Sequence, residues 1–229
     1  MNLRKINFVN TVMRHLYNPL ISFLYPPICP ACGAMRLEER CFCDHCSKQV
    51  HTTSLYGERL ETRGPIVRSY HFFPFTDEIR SLIHQLKYKG DRKCIERFLS
   101  EVETRIDWSF FAEADFLVPL PLHPYRQIKR GYNQAELVSR ALSEITGVRT
   151  RTCMIRSRYT RTQTRKTKGE RYRTMRNVFA PHPRLFCPEA RLILIDDVLT
   201  TGATLESCAE AAASQGAQDI RACTVARVE

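Results

Sequence analysis

Two spacings of apolar residues alternate along most of this chain. In "TDEIRSLIHQLKYKG" Ile79, Leu82, Ile83 and Leu86 recur on one helical face, with Thr76 as a cap and Gly90 as a stop. A second helix is expected from about Cys94 to Ile106. "NQAELVSRALSEITG" predicts a helix capped by Asn133 and ended by Gly147, and "ATLESCAEAAASQGA" predicts one whose alanines allow close packing. Between them lie short apolar runs that predict strands: "PIVRSYHFF", "DFLVPLPL", "RTCMIRS", "LILID" and "IRACTVARV". "LILID" shows no alternation, as expected of a central parallel strand buried on both faces. Strands alternating with helices predict an α/β domain over residues 66–229, with a largely parallel sheet flanked by helices. The polar stretch from Thr52 to Pro65 predicts a linker ahead of it.

The first 28 residues have a different character. Leu3, Ile6, Val9, Val12, Met13 and Leu16 give one apolar face, with Arg4, Lys5 and Arg14 off it, until Asn18 and Pro19 interrupt. The spacing predicts an N-terminal helix over 1–28. The run is too short and broken to span a bilayer, and no small-residue cleavage site follows it. Docking on the core and attachment to a membrane surface are the two roles open to it.

Composition is that of a soluble globular protein: 43% hydrophobic and 26% charged over 229 residues. Charge changes the picture. Thirty-five basic against 24 acidic residues leave +11, which favours phosphates, nucleic acid or anionic membranes as partners. The excess is concentrated. Residues 151–176 hold ten Arg or Lys and one acid, Glu170, for a net +9.

Ten cysteines suggest a disulfide scaffold until they are placed. Five fall in "CPACGAMRLEERCFCDHC". Cys29 and Cys32 form one C-x2-C and Cys43 and Cys46 a second, so residues 29–50 predict a small module with four thiolates around one structural Zn2+. Gly33 suits the turn after the first pair. Cys41 and His45 are spare candidates, an iron–sulfur cluster needs the same number of thiolates, and a C-x2-C can also be a redox pair. Cys94, Cys153, Cys187, Cys208 and Cys223 are scattered, as buried small hydrophobes would be. Thiolate ligands, isolated cysteines and no export signal point to a reducing cytoplasm, with peripheral attachment at the inner face of the membrane open to the N-terminal helix.

The chemistry concentrates in "LILIDDVLTTGAT". Ligands of parallel α/β sheets bind beyond the carboxyl ends of the strands, where Asp196 and Asp197 are expected. The residues Thr200, Thr201, Gly202, Ala203 and Thr204 then form the turn into a helix, with outward amides, hydroxyls and the positive end of a helix dipole. That is a site for a phosphate monoester. The carboxylates suit hydroxyls one sugar ring away, with Mg2+ among them. A ligand with a 5′-phosphate and free ribose 2′- and 3′-hydroxyls fits both halves.

The stretch resembles the phosphoribosyl pyrophosphate (PRPP) motif of type I phosphoribosyltransferases: an apolar run, two acids, two residues, then a Thr/Ser-rich turn around Gly. With "VPLPLHPYRQIKRGYNQAELVSRAL", "RYTRTQTRKTKGERYRTMRNVF", "LKYKGD" and the cysteine module, the chain is similar from Cys29 onward to the ComF family (ComFC/GntX-like competence proteins). The resemblance implies a phosphoribosyltransferase-like domain behind a four-cysteine zinc ribbon, PRPP or a related phosphoribosyl ligand with Mg2+, and a role in DNA uptake and natural transformation. Single-stranded DNA and a competence helicase or recombination proteins are the implied partners. By the same resemblance Arg126, Lys129, Arg130 and Gly131 would hold pyrophosphate in a loop that follows the "DFLVPLPL" strand, with His123 as an added donor. Lys166, Lys168 and Arg171 are the candidate catalytic residues, on a loop that would close over the reaction. The same basic segment, with Tyr159 and Tyr172, can instead be a single-strand surface. Two function classes stay open: a PRPP-binding protein that handles single-stranded DNA, and an active Mg2+-dependent phosphoribosyltransferase of nucleotide salvage, in the glycosyltransferase class, with an unknown acceptor.

Overall fold

The computed structural model describes residues 26–37, 39–52, 64–88, 92–157 and 177–228. The expected N-terminal helix (all but its last three residues), the linker over 53–63, Gly90 and the basic stretch from 158 to 176 lie outside the described residues. Tyr159, Lys166, Lys168, Arg171 and Tyr172 are therefore not placed.

In chain order the elements are α1 (Asp44–Thr52), β1 (Ile66–Pro74), α2 (Asp77–Tyr88), α3 (Arg92–Val102), β2 (Phe116–Pro119), α4 (Pro124–Arg130), α5 (Gln134–Thr146), β3 (Met154–Arg156), β4 (Phe179–Pro181), β5 (Arg191–Leu199), α6 (Ala203–Ala213) and β6 (Asp219–Arg227). Four strands make one parallel sheet in the order β1-β6-β5-β2. This is the α/β class that the alternation of spacings predicts. The caps are where the sequence puts them. Thr76 Oγ1 accepts from Ile79 N at 3.4 Å. Asn133 Oδ1 accepts from Ala135 N at 3.2 Å, and Gly147 ends α5 with φ of 74°.

Both faces of the sheet are covered, which is why β5 reads as an unbroken apolar run. Ile193 and Ile195 share a core with α2, α3 and α5. Leu192 and Leu194 share the other with α6 and the β3–β4 pair. Each such side chain contributes about 1.5–3 kcal/mol on burial. At the opposite end of the sheet from the strand carboxyl termini, the buried Arg221 pairs with Asp219 at 2.6 Å and donates to the carbonyls of Phe110 and Ala112, both at 2.8 Å. One guanidinium thus ties β6 to the turns before β2.

Three local expectations change. "RTCMIRS" does form a strand, but β3 pairs antiparallel with β4 in a separate two-stranded ribbon. Among the described residues the main sheet is extended at that edge by a single bridge between Leu117 and Thr150. The segment after β2, expected as a loop, is the helix α4, because Pro124 at its first turn and His123 as its cap start it. And β5 runs on past the two acids to Leu199, since β6 keeps pairing with it as far as Arg227.

The cysteine module packs into the same core as α2, α3 and α5. Its first pair sits on a turn closed by the Ile28–Met35 bridge, where Gly33 takes φ of 76°. Its second pair brackets the start of α1. Cys41 is not directed at the quartet; its sulfur lies 3.1 Å from that of Cys94 in α3.

Candidate functional site

The connections out of β2 and β5 determine where a crevice can open. After β2 the chain crosses to α5, on the face shared with α2 and α3. After β5 it turns into α6, on the opposite face. Adjacent parallel strands whose connections part to opposite faces leave a crevice at their carboxyl ends. One wall is the segment after β2, with Arg126, Lys129 and Arg130. The other is the β5 end, with the two acids and the Thr-rich turn.

Asp196 and Asp197 emerge where β2 runs out: the last β2–β5 pair is Pro119 with Ile195. Neighbours on a strand point to opposite faces, and these two find partners on opposite faces. Asp197 accepts from Lys87 Nζ of α2 at 2.9 Å, with both side chains largely buried. Asp196 acts electrostatically with Arg156 of β3, across the sheet from α2, and its Oδ1 accepts from the Asp197 amide at 2.8 Å. Burial first, and the Asp197 carboxylate second, push the Asp196 carboxyl up to about 7; the Asp197 amide, Lys87 and Arg156 work against them. The Arg156 guanidinium is pushed down by burial and by Arg126, with Asp196 opposing. Arg126 from the β2 wall, Arg156 and Asp196 are therefore electrostatically linked across the crevice.

The turn after β5 has the form expected of an anion cradle. Gly202 takes φ of 76°, the left-handed region that favours glycine, and caps α6 without a side-chain bond. Thr200 is exposed, and Thr201, Gly202 and Thr204 are half-buried, while Ala203 is buried beneath them. The first amides of a helix have no partner within it, so the start of α6 offers donors and positive potential here.

The β2 wall is partly committed elsewhere. His123 caps α4 by accepting from Tyr125 N at Nδ1, 3.2 Å, so that nitrogen is an acceptor rather than the expected anion donor. Arg130 donates to Gln134 Oε1 at 2.6 Å and lies over the Tyr88 ring at 6.0 Å. Gly131 ends α4 with φ of 81°. Lys129 stands exposed on the helix, and Arg126 is half-buried. Asn133 Nδ2 donates to the Leu120 carbonyl at 2.9 Å and fastens this wall to the end of β2.

Lys87 and Arg156 were not singled out by sequence. The signal for Lys87 was a basic residue in the last turn of α2. What it pairs with lies on another element, and no local pattern shows that.

The second centre is the cysteine quartet. The sulfurs of Cys29, Cys32, Cys43 and Cys46 all lie within 4.8 Å of one another and can hold a metal ion. Tetrahedral coordination with metal–sulfur bonds of about 2.3 Å needs sulfurs about 3.8 Å apart, and Cys32 and Cys43 are already at 3.5 Å. Burial opposes ionisation of Cys29, but the backbone amides of Cys43, Cys32 and Ala31 bring its thiol down to about 7. Four thiolates at this spacing are the donor set of a soft or borderline divalent metal. His45 is exposed on α1 and outside the quartet.

The acid pair fits a directly bound Mg2+ poorly. That ion takes six oxygens at about 2.0–2.1 Å, and one oxygen it would need is held by the Lys87 ammonium.

Among the described residues no helix is long and apolar enough to cross a membrane. No family model matches the chain. Competence protein F of Haemophilus influenzae is 25% identical over 194 residues, covering 81% of this chain and 84% of that protein. Competence protein ComFC of Bacillus subtilis is 28% identical over 189 residues, covering 82% and 72%. The DNA utilization protein YhgH of Escherichia coli K12 is 26% identical over 202 residues, covering 85% and 87%. The solved purine phosphoribosyltransferase of Pyrococcus horikoshii overlaps 59% of this chain and 69% of its own at 18% identity, with a TM-score of 0.28, too slight to build on. Over about four-fifths of its length the chain is thus similar to competence and DNA utilization proteins, in keeping with the ComF resemblance of its motifs.

Proposed function

We propose that the chain is a phosphoribosyl-binding protein acting in DNA uptake, with PRPP or a related 5′-phosphorylated ribose in the β2–β5 crevice. The observation that carries this is the joint placement of the two acids and the Gly202 turn at the mouth of that crevice. The 5′-phosphate would rest on the amides and hydroxyls of Thr200 to Thr204. The ribose diol would donate to Asp196 and Asp197. Arg126, Lys129 and the half-committed Arg130 would face a pyrophosphate from the other wall. The role in DNA uptake is supported by the names of its relatives, and contact with single-stranded DNA by the net +9 of residues 151–176.

On the same reading residues 29–50 are a metal module and 66–229 the ligand-binding domain. Zn2+ on the four cysteines would supply no chemistry beyond holding that module together, because four protein thiolates leave no open position.

If the protein also transfers phosphoribose, displacement of pyrophosphate by a nitrogen nucleophile needs positioning and charge stabilisation rather than a covalent residue. Lys166, Lys168 and Arg171 remain its candidates.

Ligand-induced stabilisation of the whole chain tests the proposal. PRPP at about 100 times its dissociation constant should stabilise by about 2.7 kcal/mol and raise the melting temperature by several degrees. Inorganic phosphate should do much less. No shift with PRPP at millimolar concentration would remove the phosphoribosyl reading and leave only the DNA role.

A further inference from the structure

The acid pair sits between two cations that the fold itself supplies. Lys87, in the last turn of α2, reaches Asp197 from one face of the sheet at 2.9 Å. Arg156, on β3, acts on Asp196 from the other. Neither cation is adjacent in sequence to the acids. Lys87 precedes Asp197 by three strands of the fold and is delivered by a helix whose Leu82, Ile83 and Leu86 are locked into the core. The ion pair is thus set by packing rather than by a flexible surface encounter. Its side chains keep 32% and 14% of their exposure, so it is partly shielded from the screening that makes surface pairs weak.

This balance bears on what the site can bind. Two carboxylates with no cation beside them would attract a divalent ion. With the Lys87 ammonium 2.9 Å from Asp197, the acid pair offers less net negative charge to a divalent ion and has one carboxylate oxygen already engaged, while its remaining lone pairs stay available to hydroxyl donors.

We infer that Lys87 is a positioning residue that stands in for a metal at the acid pair, so that this protein binds 5′-phosphorylated ribose without Mg2+. The inference rests on the phosphoribosyl reading above and extends it. The ligand class widens to ribose 5-phosphate and its metal-free esters, which carry no pyrophosphate. Mg2+, where it matters, would enter with a pyrophosphate group and not through Asp196 or Asp197.

Ribose 5-phosphate is the probe, because it has the diol and the monoester and nothing that holds Mg2+ tightly. It is titrated calorimetrically into the full chain in EDTA and in excess Mg2+, for the wild type, Lys87→Met and Lys87→Arg. The wild type should bind with affinities equal within about twofold in the two buffers. Lys87→Met should weaken binding in EDTA by about tenfold or more, with Mg2+ restoring part of the loss, and Lys87→Arg should bind nearly as the wild type does. A merely structural role for Lys87 would not create a Mg2+ dependence, and thermal melts of each variant show that it is folded. Binding by the wild type only in Mg2+, or unaltered Mg2+-free binding by Lys87→Met, overturns the inference and leaves the phosphoribosyl pocket standing. Absence of ribose 5-phosphate binding in both buffers, with PRPP also unbound, overturns both.

Discussion

The ring of Phe42, in the cysteine module, meets the ring of Phe98, in α3, edge-on with centroids 6.1 Å apart. Phe98 in turn packs on Phe73 of β1 at 5.1 Å, and all three rings are fully buried. The module is therefore continuous with the core of the main domain. Phe42→Ala should cost about 3–5 kcal/mol, the usual range for a buried aromatic whose cavity collapses only in part. Urea unfolding followed by circular dichroism measures it. A cost below about 1 kcal/mol would mean that the module rides on the surface and that the shared core does not stabilise it.

The cysteine quartet should carry about one Zn2+ per chain in protein purified without added metal. Elemental analysis gives the stoichiometry. Chelation should release the metal and lower the melting temperature, because the quartet ties the turn after Cys29 to the start of α1. Cys46→Ser should lose metal, whereas His45→Ala should keep it, since His45 is outside the quartet. Metal-free protein with an unchanged melting temperature would contradict the assignment, and visible absorbance from an iron–sulfur cluster would replace it.

Asp196 makes stability depend on pH in an unusual direction. Its carboxyl lies at about 7 in the folded chain, against 3.8 for a free side chain. Between those values the folded protein holds a proton that the unfolded chain has released. The associated stability is complete below pH 3.8 and is lost as pH rises through about 7. Asp196→Asn has no proton to lose. Its stability relative to the wild type should therefore rise by about 1–3 kcal/mol between about pH 5 and about pH 8. Denaturant titrations at the two pH values give the difference, and a gap that does not change with pH would show that Asp196 is ionised throughout.

The basic stretch separates the two functional classes. Replacing Lys166, Lys168 and Arg171 with Gln should weaken single-stranded DNA binding. Its log–log salt dependence should flatten by about 0.7 for each phosphate that is no longer neutralised. PRPP binding should change little. If PRPP turnover or pyrophosphate affinity falls instead, with DNA binding and its salt slope intact, the segment serves the enzyme reading.

The parts of the fold legible in sequence were those with local causes. The unbroken apolar run before Asp196 follows from burial on both faces of β5. Asn133 and Gly147 mark the ends of α5 because capping and left-handed geometry are decided within a turn of the chain. The acids and the Gly202 turn were legible together because strand end, turn and helix start are contiguous. Of the β3–β4 ribbon, β3 was legible as a short apolar run, but β4 and the antiparallel pairing were not, since a three-residue strand carries no period and its partner lies far along the chain. Helix α4 was hidden by its composition: it buries no apolar stripe, and its Ile128 is 83% exposed. Lys87 and Arg156 were missed because their partners come from other elements. Charge pairing across a sheet is a property of the packed structure.

The most direct test of the account is calorimetric titration of PRPP into the wild type and into the double variant Asp196→Asn, Asp197→Asn. The substitution keeps shape and removes both acceptor charges. It also leaves Lys87 without its partner, so far-UV circular dichroism accompanies each titration to show that the fold is retained. The account predicts binding by the wild type and at least about a tenfold loss in the folded double variant. Equal affinity in the two proteins would contradict it, and would place any phosphoribosyl ligand away from the β2–β5 crevice.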